Sequence, residues 1–137
     1  MADYFVAILN GLQSTNNSER TQSETTYDSI TPKERLELLL KTLCVQNIAE
    51  ETRSLAAVLL RRILVNQYEQ SFEELVVEQQ AAFKMQLLQC IVAESSDQVR
   101  RKVADAAAEL ARKQSDAQRQ QTWPEQPEPS YYHYLFL

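Results

Sequence analysis

The chain has 137 residues, one glycine, four prolines and two cysteines, and a formal net charge of −5. That length supports one small domain with a real core. A lone glycine leaves too little turn chemistry for an all-β fold and rules out a Gly-rich phosphate loop, while the negative charge disfavours nucleic acid and favours basic proteins as partners.

Ala, Leu, Glu, Gln and Arg, all good helix formers, fill the interior, so the expected class is all-α. No apolar run approaches the roughly 18 residues needed to span a bilayer. The opening MADYFVAILNGLQS has Asp3 where a signal peptide would carry Lys or Arg. The expectation is a soluble protein of cytoplasm and nucleus, with no membrane partner.

Phe5, Ile8, Leu9 and Leu12 recur at i, i+3, i+4, i+7, one face of a first helix. STNNSE supplies turn and N-cap residues. The polar segment ERTQSETTYDSI suits a second helix in length, but its apolar stripe is thin, little beyond Tyr27 and Ile30. The third helix restarts cleanly: Thr31 can cap, Pro32 fits the first helical position and Glu34 completes a capping box. Leu36, Leu39, Leu40 and Leu43 form its stripe.

A fourth helix is expected from about Glu50 to Glu69. At about 100° per residue, Leu55, Ala56, Leu59, Leu60, Ile63 and Leu64 share its buried face. Ser54, Arg61 and Val65 lie opposite, with Glu51 and Arg62 on the flank. A fifth helix covers about residues 73–94, with Val76, Phe83, Leu87, Cys90 and Ile91 on one side. Ser95 or Ser96 caps a sixth, DQVRRKVADAAAELARKQ, whose apolar face is Val99, Val103, Ala106, Ala107 and Leu110. Arg101, Asp105 and Arg112 lie opposite that face and Lys102 and Glu109 flank it. Arg101 with Asp105, and Glu109 with Lys113, are i,i+4 pairs.

These helices form three consecutive pairs starting near residues 3, 32 and 73, a spacing that fits both an α-solenoid and a compact six-helix bundle. Charges on the open faces are either simply solvated or, if the second helices stack side by side, one continuous ridge that grips a protein. No catalytic constellation stands out. His133 has no Asp or Ser partner, no Cys/His spacing suits zinc, and the acidic residues scatter over solvent faces. No enzyme, metal or cofactor is expected. Cys44 and Cys90 show no partner pattern and read as free, buried thiols.

Three segments carry a resemblance. EETRSLAAVLLRRIL (50–64) resembles the second helix of an N-terminal HEAT repeat in karyopherin-β (importin-β family) transport receptors, most of all the karyopherin-β3 (importin-5) branch. RRKVADAAAELARK (100–113), followed by WPE (123–125), looks like the corresponding helix one repeat later, and RTQSETTY (20–27) like the second helix of the first repeat. The similarity runs from about residue 3 to 125. It implies an α-α superhelix, with HEAT repeats at about 1–30, 31–70 and 73–114 within residues 1–121 and a Pro-rich, aromatic tail at 122–137.

The resemblance further implies a nuclear transport receptor that binds Ran in its GTP state. Other implied partners are a cargo protein with a basic import signal, or nucleoporins. The partner-binding positions carried over are Glu51, Ser54, Arg61, Arg62, Arg101, Asp105 and Arg112. The chain departs from the family in being far shorter and in having polar Glu19 and Ser23 in its first repeat. Prolines also follow WPE, in a tail whose Trp123, Tyr131, Tyr132, Leu135 and Phe136 are a candidate cap for the last repeat. The alternative is a degenerate helical-repeat scaffold without Ran binding.

Overall fold

The computed structural model describes residues 2–121, and the predicted tail cap lies outside them. Six α-helices and one 3-10 turn make up the described chain: α1 (Ala2–Leu12), α2 (Asn17–Ser29), α3 (Pro32–Leu43), α4 (Glu50–Asn66), the turn Phe72–Glu74, α5 (Val77–Ala93) and α6 (Asp97–Gln121). No strand occurs among the described residues, and none of their helices is long and apolar enough to cross a membrane. The helices form three antiparallel pairs of a helical-repeat superhelix, the arrangement that the resemblance implies and one of the two that the spacing left open.

Local chemistry explains the boundaries. The Asn16 side chain accepts the Glu19 N–H at 3.0 Å and starts α2. Thr31 does the same for Glu34 at 3.2 Å, with Pro32 in the first turn of α3. Ser96 Oγ accepts the Val99 N–H at 3.3 Å and starts α6. The third pair departs from expectation at its beginning. Phe72 is fully buried, stacked on Tyr68 at 5.8 Å and edge-on to Phe83 at 5.6 Å. That anchor holds residues 72–74 as a separate turn, so α5 begins only at Val77, and Val76 is an exposed N-cap residue rather than part of the buried stripe. The helix α4 ends at Asn66, three residues short of the predicted limit, and α6 runs on to Gln121.

One core runs through the three pairs, and α4 sits at its centre. The predicted stripes of α1, α3, α4 and α6 are buried, except that Leu12 and Leu55 at their edges are only partly covered. Successive residues at the start of α4 reach in opposite directions. The Thr52 hydroxyl donates to Asn10 Oδ1 at 2.9 Å and accepts from Gln13 Nε2 at 3.2 Å, tying α4 to the first pair. Arg53, buried, points the other way. Its Nη2 and Nε donate to the Glu94 carboxylate at 2.8 and 3.1 Å, and its Nη1 donates to the carbonyls of Gln46 and Ile48. Glu94, at the end of α5, also accepts the Ser96 N–H at 2.9 Å.

Burial alone would raise the Glu94 pKa. The Arg53 and Ser96 hydrogen bonds and the charges of Arg53 and Arg100 outweigh burial and hold it below the ordinary carboxylate value. Glu94 therefore corrects the expectation that the acidic residues lie on solvent faces, as does Glu109, which is also buried. A second correction concerns the cysteines: Cys90 is buried, but Cys44 is exposed, and the two are neighbours.

Candidate functional site

The helices α4 and α6 lie side by side, with more of their lengths in contact than any other two helices. Aliphatic and alanine side chains make that approach possible: Ala56, Ala57 and Leu60 from α4, Val99, Val103, Ala106 and Leu110 from α6, all buried. Small side chains let the backbones come close, and longer charged residues then rim the seam. The result is an open groove of about 580 Å³ lined by Ala57, Val58, Arg61, Lys102, Asp105, Ala108, Glu109 and Arg112.

Two of the five charges in this groove are already committed to each other. The Arg112 guanidinium donates to the Glu109 carboxylate within hydrogen-bond distance and lies 3.5 Å from Asp116. The Glu109 hydrogen bond raises the basicity of Arg112. Lys102 Nζ donates to Ser54 Oγ at 2.6 Å, joining the two helices across the seam. Among the described residues, the Arg61 guanidinium and the Asp105 carboxylate have no hydrogen-bond or ion-pair partner within the chain. The i,i+4 pairs expected from spacing, Arg101 with Asp105 and Glu109 with Lys113, do not form; Arg112, one position before Lys113, takes the Glu109 carboxylate at i,i+3.

The structure divides the seven predicted positions. Arg61, Asp105 and Arg112 share the groove, and Ser54 borders it through its bond to Lys102. Glu51 and Arg101 are exposed on α4 and α6 outside the groove lining. Arg62, adjacent to Arg61 in sequence, faces a different depression of about 440 Å³ between α4 and the first pair, lined also by Glu24, Tyr27, Asp28 and Arg35. There Arg35 sits 4.8 Å above the Tyr27 ring. Burial pushes the Tyr27 pKa up, against the pull of Arg35 and Arg62. The adjacent arginines therefore serve two surfaces rather than one ridge.

Sequence reasoning left Lys102 and Glu109 on the flank of α6; the structure puts both in the groove. It also passed over Arg53, whose partner lies 41 residues away. An arginine on the apolar stripe itself, three and seven residues before Ala56 and Leu60, was the available signal. No cluster of three or more metal-ligating side chains exists among the described residues.

A family model described as IPO5-like, TPR repeats matches residues 95–128. The match takes in all of α6 and continues beyond the described residues; it covers about a quarter of the chain. It supports a relationship to importin-type helical-repeat proteins of the importin-β family. Its description names TPR repeats where the sequence resemblance points to HEAT repeats; both are stacked helix pairs with a continuous core. The matched stretch begins just before α6 rather than at the start of the third pair.

Proposed function

We propose that this chain is an importin-like protein, nearest the karyopherin-β3 (importin-5) branch, that binds Ran in its GTP state and takes part in or modulates protein import between cytoplasm and nucleus. The observation that carries the reading is the α4–α6 groove. It presents an uncommitted arginine and an uncommitted carboxylate, Arg61 and Asp105, and one wall is the helix covered by the importin-type match. Arg112 extends that surface, Glu51, Ser54 and Arg101 are its candidate outer contacts, and Arg62 is a candidate contact on the neighbouring depression. A cargo with a basic import signal fits the net negative charge.

Ran's switch segments change order with the γ-phosphate, so a receptor that reads them prefers the GTP form. An arginine at the centre of an interface contributes roughly 2 kcal/mol or more to binding. The test is capture of Ran loaded with a GTP analogue or with GDP. The expected result is preferential capture of the GTP form, weakened at least about tenfold by Arg61→Glu with the helical circular-dichroism spectrum retained. Arg62→Glu, facing the other depression, should weaken capture less. Equal capture of both nucleotide forms, or none, would overturn Ran recognition in favour of the helical scaffold.

A further inference from the structure

The chain's two cysteines meet where α3 and α5 end. Cys44 closes α3, its N–H donating to the Leu40 carbonyl at 3.1 Å, and Cys90 lies in the last turn of α5. They are 46 positions apart in sequence, yet their sulfurs are 2.9 Å apart. A disulfide requires about 2.05 Å, so closure asks for roughly 0.9 Å of approach. Cys44 is exposed to solvent and Cys90 is buried.

The hydrogen bond from Cys90 lowers the Cys44 pKa from 9.0 to about 7, against the opposing effect of burial. The same bond, burial, and the negative charges of Cys44 and Glu94 push Cys90 up. One thiol is therefore accessible and substantially thiolate at neutral pH; the other is protonated and held against it. Redox-responsive cysteines have this character: a low-pKa, accessible thiol beside a resolving partner.

We propose that Cys44 and Cys90 form a hydroperoxide-sensitive modification site, oxidised reversibly to a disulfide that staples the end of α3 to the end of α5. The Cys44 thiolate attacks one oxygen of hydrogen peroxide, the O–O bond breaks, and the departing hydroxide takes up a proton to become water. Cys44, oxidised by two electrons, is then a sulfenic acid. The Cys90 sulfur attacks the Cys44 sulfur; the S–S bond forms, the S–O bond breaks, and the Cys90 proton leaves with the hydroxyl as a second water. Two thiols and one peroxide give one disulfide and two waters.

The staple would reinforce a particular seam. Two residues beyond Cys44, the Gln46 carbonyl accepts from Arg53, and four residues beyond Cys90 stands Glu94, the carboxylate that Arg53 holds. The disulfide would cross the boundary between the second and third helix pairs beside the existing ion pair. Its effect is to fix the angle between those pairs.

The test treats the full chain with hydrogen peroxide and follows intact mass, free thiols, non-reducing electrophoresis and thermal melting. The expected product is a monomer that has lost two hydrogens and both thiols, melts several degrees higher, and returns to the starting state with dithiothreitol. Cys90→Ser, checked for folding by circular dichroism, should stop at a sulfenic acid on Cys44 that dimedone traps. Addition of oxygen to Cys44 while Cys90 stays a free thiol in the unmodified sequence, or covalent dimers through Cys44, would overturn the proposal.

Discussion

The helices α2 and α6 are each the second helix of a pair, but they are held by different means. Along α6, Val99, Val103, Ala106, Ala107 and Leu110 are buried, most of them against α4. Along α2 only Tyr27 is buried, and the helix packs chiefly on α1. There it depends on one aromatic contact, Phe5 with Tyr27 at 6.3 Å, and on a close approach at Gly11. A Cβ at Gly11 would lie 1.9 Å from Ser23 Oγ and 2.9 Å from Ser23 Cβ. The last helix is held by an extended aliphatic seam against the neighbouring pair, whereas α2 is held by a local crossing within its own pair that tolerates only the smallest side chains. Stability in a repeat array is set by such nearest-neighbour interfaces, so the two ends of this array should differ.

The comparison is broken most severely at the buried ion pair on the α6 side. Glu94→Ala leaves the Arg53 guanidinium buried without its carboxylate and should cost about 3–5 kcal/mol in urea or guanidinium unfolding. Replacing both residues together with apolar side chains of similar volume should recover much of that loss. The pair is also sensitive to acid. The folded-state pKa of Glu94 lies below its unfolded value, so its contribution is fully present above about 4.3 and is lost as pH falls through the lowered folded value. The stability gap between the natural sequence and Glu94→Gln should therefore narrow on acidification.

Removing aliphatic bulk from the seam comes next. Leu110→Ala, at a fully buried position of α6, should cost about 2–5 kcal/mol. At the other end, Gly11→Ala should cost about 1–3 kcal/mol by forcing α1 and α2 apart, and Gly11→Ala combined with Ser23→Gly should regain part of it. The smallest effect is expected on the open face of α2, where Glu24→Ala should change stability by no more than about 0.5 kcal/mol. Amide exchange sharpens the contrast without mutation: residues 18–30 should exchange faster than residues 55–64. Equal protection in the two segments would remove the distinction.

How much of this was legible in the sequence follows from what periodicity can encode. The stripe Ala56 to Leu64 and the stripe Val99 to Leu110 repeat at helical spacing, so their burial could be read directly. The cap at Thr31 was equally readable, because a cap and its N–H lie three residues apart, whereas the sequence narrowed the other two caps only to STNNSE and to Ser95 or Ser96, and the structure selects Asn16 and Ser96. The thin stripe of α2 was visible for the same reason. Pairings between distant elements leave no such trace. Arg53 and Glu94 are each ordinary charged residues at the edge of a helix pattern, and only the folded chain brings them together. The two thiols were hidden likewise, 46 residues apart on helices that periodicity treats separately. The groove was half legible. Helical wheels put Arg61, Asp105 and Arg112 on open faces, but assigning Arg62 to a different surface required knowing that α4 has neighbours on both sides.

The Arg53 cluster also has an order in time. Its guanidinium is held by two kinds of acceptor: the carbonyls of Gln46 and Ile48, seven and five residues upstream, and the carboxylate of Glu94, 41 residues downstream. A ribosome adding about 5–20 residues per second delivers Glu94 roughly 2–8 s after Arg53. During that interval the upstream carbonyls are already in the nascent chain and the carboxylate is not. The local turn can therefore orient the cation first, so that the third helix pair arrives to find one side of its joint already set.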